Sequence, residues 1–193
     1  METDAEVRAF IAIELPGTVK AFLTKISTEL KICGGHVKWV RPGGIHLTLK
    51  FLGSVRSGLL PRIEETAQPV FTDQKPISLS VSGLGAFPGL RKPRVVWAGL
   101  KEPAGVLAPL VRRLEDALEP LGFAKEKRPF NPHLTLGRFK SNEKSSDLIE
   151  TIRQKMDIVG PSFVADHAVL FESVLKHSGA EYFQICRFDF GSP

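Results

Sequence analysis

Residues 7–15 form a run of β-branched, aromatic and small apolar side chains without helical spacing, the pattern of a buried strand. Beyond Pro16-Gly17-Thr18 the period changes. Val19, Phe22, Leu23, Ile26 and Leu30 recur at three- and four-residue steps and predict an amphipathic helix that Gly34-Gly35 ends. Residues 37–40 and 45–52 read as strands on either side of a turn at 41–44. A helix is predicted over 59–70, with Ile63, Ala67 and Val70 inward. Residues 77–84 alternate as a half-buried strand does, 85–93 read as a loop or hairpin tip, and 94–100 as the returning strand. Leu107, Leu110, Val111, Leu114, Leu118 and Leu121 make the strongest helical stripe, which Gly122 closes. Residues 125–132 are a basic approach to a strand at 133–139. A further helix is predicted over 145–157, with Ile149, Ile152 and Met156 inward. The last two strands are predicted at 163–175 and 182–190, joined through Ser178-Gly179. Grouped strands mixed with helices, without βαβ regularity, predict an α+β fold with antiparallel sheets.

Composition narrows the class. The chain has 193 residues, of which 42% are hydrophobic and 24% charged, so one domain spanning 1–193 with an ample core is expected. No apolar run approaches the roughly 18 residues of a membrane span. The acidic start Met1-Glu2-Thr3-Asp4 is unlike a secretory signal, so a cytoplasmic protein is expected. Cys33 and Cys186 are too few for a disulfide framework and lack metal-ligand spacing, and reduced thiols fit that compartment. A net charge of +5 suits a phosphate-bearing partner.

One motif recurs. His-Leu-Thr-Leu stands at His46-Leu47-Thr48-Leu49 and again at His133-Leu134-Thr135-Leu136, 87 residues later (133 minus 46). The spacing is close to half the chain and predicts two related lobes, each supplying one equivalent strand. Strand alternation turns each His and Thr to one face and both leucines to the core. If the lobes pack about an approximate twofold, the two faces meet across a cleft holding two acid/base groups and two hydroxyl donors. That set suits in-line displacement at phosphorus. One neutral imidazole takes a proton from the nucleophile, and the other, protonated, gives one to the leaving oxygen. Thr48 and Thr135 are placed to donate to the non-bridging phosphoryl oxygens. Arg138 follows His133 by five residues, an odd offset that faces it away in an ideal strand; a bulge near Gly137 would return it to the phosphate. His-x-Thr is a poor metal pattern, so a metal-free reaction is expected.

With these motifs, the chain resembles the 2H phosphoesterase superfamily, and within it the RNA 2′,3′-cyclic phosphodiesterases once called 2′-5′ RNA ligases. Residues 8–13 (RAFIAI), 46–53 (HLTLKFLG), 85–88 (GAFP), 93–99 (PRVVWAG) and 130–138 (FNPHLTLGR) carry the likeness over nearly the whole chain. The resemblance implies a two-lobed α+β fold, with antiparallel sheets and outer helices around a central cleft. It implies no cofactor and no metal. It also implies hydrolysis of RNA 2′,3′-cyclic phosphate ends, tRNA halves among them, or of nucleoside cyclic phosphates, to 2′-phosphates. Reverse 2′-5′ ligation comes with it. His46 is then the acid that protonates O3′ and His133 the base, an assignment resting on the family because the two motifs are identical. Arg138 matches a phosphate-contacting arginine and Phe10 an aromatic near the nucleobase.

Arg94, Arg128 and Tyr182 are further candidate base or RNA contacts, since basic residues at 91–94 and 125–128 should flank the cleft. His36, His167 and His177 lack a partner motif and read as surface histidines, and Trp39 and Trp97 as core. A monomer is expected. The competing readings are a related enzyme acting on another cyclic phosphate or RNA end, a non-catalytic nucleotide-binding module, and a basic RNA-binding protein with incidental motifs.

Overall fold

The computed structural model describes residues 5–102, 104–141, 143, 145–176 and 179–191, so His177 and Ser178 lie outside the described residues. The strand β1 (Glu6–Ile13) leads into the helix α1 (Gly17–Ile32), whose buried stripe is Val19, Leu23, Ile26 and Leu30. Gly34 and Gly35 adopt φ of 80° and 81°, which only glycine takes without strain, and they end the helix. The short β2 (Val37–Trp39) and the long β3 (Leu47–Arg56) follow, then α2 (Leu60–Thr72) and β4 (Ile77–Phe87). β5 (Val95–Lys101), α3 (Leu107–Leu118), β6 (His133–Phe139) and α4 (Ser146–Gln154) come next, and β7 (Val159–Ala165), β8 (His167–Lys176) and β9 (Gly179–Asp189) complete the order.

Among the described residues, nine strands join one sheet, with every pairing antiparallel, in the order β7-β4-β5-β6-β3-β1-β8-β9; β2 pairs with β6. The path is symmetric about its centre. β3 and β6, the two motif strands, are the middle pair, flanked by β1 and β5, and β1-α1-β3 matches β5-α3-β6 in order. The sheet is also strongly curled. β7 and β8 are six steps apart on the path, about 29 Å in a flat sheet, yet only Asp166 separates them in sequence. Two peptide units span at most ~7 Å.

The helices cover one face. α2 packs on α3 and β9, α1 on β7 and α4, and α3 on β3. Leu47, Leu49, Leu134 and Leu136 are all buried in the main core, as alternation requires. Each contributes about 1.5–3 kcal/mol on burial. These four side chains fix the opposite faces of their strands toward the concave side of the sheet. Among the described residues, no helix is long and apolar enough to cross a membrane.

Four local expectations are corrected. The predicted strand 163–175 is two strands, β7 and β8, because the apolar pattern runs through the corner at Asp166 without a glycine or proline. β4 continues through Gly85 to Phe87 rather than stopping at Leu84, and Gly85 leaves space for the Trp97 ring. α4 buries Leu148 and Ile152, not Ile149 and Met156; Met156 lies past the helix end and is exposed. In α2 the inward set is Ile63, Ala67 and Phe71.

Candidate active site

The two motifs meet at the centre of the sheet. Leu47 pairs with Leu134 across β3 and β6. In an antiparallel ladder one step either way sets His46 opposite Thr135 and Thr48 opposite His133. Carried one step either way, this register turns the four polar residues to the face opposite the leucines and makes the two histidines diagonal neighbours, positions whose Cα atoms stand about 7–8 Å apart in an antiparallel pair. An approximate twofold through the Leu47–Leu134 pair relates the copies.

The symmetry extends to two bulges. On β3, Thr48 pairs with Ala12 and Lys50 with Ile11, so Leu49 has no partner on β1. On β6, Thr135 pairs with Trp97 and Gly137 with Val96, so Leu136 has none on β5. Each bulge falls one residue after the threonine and reverses the parity of the positions beyond it. Arg138 consequently returns to the face of Thr135, and both line a cavity of about 820 Å³ with His46 and Thr48. On the other strand the residue in Arg138's place, 87 positions earlier, is Phe51, which lines the same cavity.

Each imidazole is held from behind. His133 Nδ1 lies 2.8 Å from the Asn131 carbonyl, two residues earlier, and donates to it in one tautomer. The Gly44 backbone, also two residues earlier, acts on His46 in the same sense and favours its protonated ring. The surroundings of the two rings differ. Phe10 stacks on His46 with centroids 4.6 Å apart, Tyr182 meets it edge-on at 5.1 Å, and Phe171 backs Phe10 at 5.3 Å. This burial, with a smaller contribution from the Lys20 charge, lowers the His46 pKa to about 4 against the Gly44 hydrogen bond. His133 meets Phe87 edge-on at 4.9 Å and sits beside the cavity wall, not in it. Burial also raises the Tyr182 hydroxyl pKa, and the Arg138 charge pulls it back.

Lys50 ties the His46 strand to α3 and to the segment before β6. Its ammonium is buried, 2.8 Å from Glu115 Oε1 on α3 and 2.6 Å from the Ala124 carbonyl. The same Glu115 oxygen accepts the Glu126 N–H at 2.9 Å, so the pair also fastens the segment that leads to His133. Removing one partner of such a pair would leave an uncompensated buried charge.

Placement of the remaining candidates is mixed. Tyr182 lines the cavity. Phe10 reaches it, but only 3% of the residue is exposed and its ring stacks with His46 and Phe171, so it offers no free face to a base. Arg94 and Arg128 are exposed but do not line the cavity. Trp39, expected in the core, lines it; Trp97 is half-buried against Phe87. His36 faces Ser141, and His167 faces Asp166. Sequence reasoning passed over Arg8, Lys38, Arg41 and Phe51. Phe51 had a signal, the 87-residue offset from Arg138. Among the described residues, no group of three or more His, Cys, Asp or Glu side chains is placed to hold a metal ion.

A curled antiparallel sheet with paired His-x-Thr motifs at its centre defines a two-histidine phosphoesterase architecture. The 2′-5′ RNA ligase superfamily model matches residues 20–175, and the chain belongs to that family. It is 34% identical over 177 residues to the RNA 2′,3′-cyclic phosphodiesterase of Methanothermobacter thermautotrophicus, covering 92% of this chain and 95% of that one. The Archaeoglobus fulgidus protein of the same name is 36% identical, over 91% and 96%. Among solved structures, TT0787 of Thermus thermophilus superposes with a TM-score of 0.81 at 26% identity, over 96% and 98% of the chains. Escherichia coli LigT complexed with 3′-AMP shares the fold, with a TM-score of 0.78 at 23% identity over 96% and 99%.

Proposed function

We propose that this protein is an RNA 2′,3′-cyclic phosphodiesterase that opens the cyclic ester to a 2′-phosphate. The observation that carries the reading is the antiparallel pairing at Leu47 and Leu134, which lays two imidazoles and two hydroxyls on one face. One imidazole removes a proton from water as the water oxygen attacks phosphorus. The P–O3′ bond breaks, and the other imidazole delivers a proton to O3′. The products are a free 3′-hydroxyl and a 2′-phosphate, and the two histidines have exchanged charge states. Thr48 and Thr135 donate to the non-bridging oxygens, and the Arg138 guanidinium compensates their charge.

The family resemblance makes His46 the acid and His133 the base. An acid held near 4 is neutral in the empty cleft at pH 7, so His46 gains its proton when the phosphodiester anion lies beside it. The depressed pKa supports a second reading, in which the roles are exchanged. The same proposal takes residues 1–193 as one domain of two lobes, each with one motif, acting as a cytoplasmic monomer without a cofactor or metal. Its substrates are RNA ends such as tRNA halves, with 2′-5′ ligation as the reverse reaction. The symmetric strand order supports the two-lobed description.

The test is product analysis with a short oligonucleotide carrying a 2′,3′-cyclic phosphate, in EDTA. A 2′-phosphate product is expected. Tight binding without turnover would instead identify a nucleotide-binding module, and activity that needs an added divalent ion would overturn the metal-free chemistry.

A further inference from the structure

The cavity reaches well beyond the two motifs. Its lining runs from Thr135 and Arg138 on β6 across β3, β1 and β8 to Tyr182 on β9, five neighbouring strands. Four steps at about 4.8 Å make ~19 Å along the sheet. Stacked nucleotides repeat every ~3.4 Å. A single terminal nucleotide leaves much of that wall uncovered.

Away from the histidines the wall becomes apolar. Phe51 is 61% exposed, Leu175 65% and Phe183 47%, and all three line this cavity. Exposed apolar groups gathered around one cavity mark a binding surface. Phe10 supports the Phe51 ring from one side, with centroids 6.1 Å apart. Arg8, exposed on β1 two residues before Phe10, lines the same wall. The charged lining is Arg8, Lys38, Arg41 and Arg138 against Glu181, which is itself paired with Lys176. Apolar platforms interleaved with cations match the alternation of bases and phosphates in a single strand.

Building on the phosphodiesterase reading above, we propose that this wall is a subsite for the nucleotides that precede the cyclic-phosphate end of single-stranded RNA. Bases pack on Phe51 and Leu175, and Arg8 meets a linking phosphate. The preferred substrate is then an oligonucleotide end, not a nucleoside 2′,3′-cyclic monophosphate.

The experiment measures kcat/KM for a nucleoside 2′,3′-cyclic monophosphate and for the di- and trinucleotides ending in that nucleoside. Wild type is compared with Phe51→Ala, Leu175→Ala and Arg8→Gln, all substitutions at exposed positions. The wild-type dinucleotide should exceed the mononucleotide by about tenfold or more, the scale of one stacked base. Phe51→Ala and Leu175→Ala should reduce that ratio, and Arg8→Gln should reduce it while flattening its salt dependence. A wild-type ratio near one, or a ratio unchanged in all three variants, overturns the subsite. Failure of wild type to hydrolyse any of the three substrates overturns the phosphodiesterase reading on which it rests.

Discussion

Phe10 lies against the face of His46, ring centroids 4.6 Å apart and 25° from parallel, one of the contacts that bury the motif imidazole. A neutral ring loses little in such a place; an imidazolium loses its hydration. His46 is therefore held at about 4 instead of near its usual 6.5. Between those values the unfolded chain binds a proton that the native protein does not, so this contribution to stability is complete above pH 6.5 and is lost as pH falls toward 4. The loss approaches ~1.4 kcal/mol per pH unit, or about 2–3 kcal/mol between pH 6.5 and 4.5. Urea unfolding of wild type and His46→Gln at both pH values should show that excess loss in wild type alone. Equal losses would mean that His46 is not held neutral.

Anion binding should reverse the shift. A nucleoside 2′-phosphate placed between the imidazoles puts negative charge beside His46, and opposite charge favours the imidazolium. With His46 as the acid, its imidazole should then titrate well above the value of about 4 that it has in the free protein. Ring-proton titration by NMR, with and without the nucleotide, gives the measure. If the two titrations coincide, the phosphate is not adjacent to His46.

Much of this was legible in the chain, and the exceptions share a cause. The His-x-Thr repeat and its paired leucines announce the central strands because period-two alternation is local. The parity of Arg138 was legible as a problem, and the bulge at Leu136 is its solution. The break at Asp166 was not, because apolar patterning reports burial and not which part of the sheet a strand joins. Phe10 shows the same limit. Its motif places it beside the site, but only packing against His46, Phe171 and Tyr182 reveals that its ring is enclosed.

The His133 side should be sensitive to a single methyl group. A Cβ on Gly85 would come within 2.3 Å of the Trp97 ring, which packs on Phe87 at 5.1 Å, and Phe87 in turn abuts His133. Gly85→Ala must displace the indole and should cost about 1–3 kcal/mol of stability, as overpacking does. It should also lower kcat while leaving the His46 titration where it is in wild type. If kcat is unchanged in a destabilised but folded variant, the Trp97–Phe87 support does not position His133.

Single substitutions should separate proton transfer from phosphate binding. His46→Ala and His133→Ala each remove a proton-transfer group, worth about 10²–10⁴-fold in rate. Thr48→Ala and Thr135→Ala each remove one hydroxyl donor, and comparable donors contribute roughly 10²–10³-fold. The histidine variants should hold a nucleoside 2′-phosphate product within a few fold of wild type, because the threonines and Arg138 remain. Arg138→Ala should weaken product binding as well as rate, since it deletes the guanidinium at the phosphate. A cyclic substrate with sulfur in place of the 3′-bridging oxygen then assigns the roles. Thiolate leaves without a proton, so this substrate should restore turnover to the variant lacking the acid and not to the variant lacking the base. Rescue of His46→Ala is the expected result. Rescue of His133→Ala instead would establish the exchanged roles that the low pKa of His46 supports, and wild-type turnover in both histidine variants on the natural substrate would end the two-histidine mechanism.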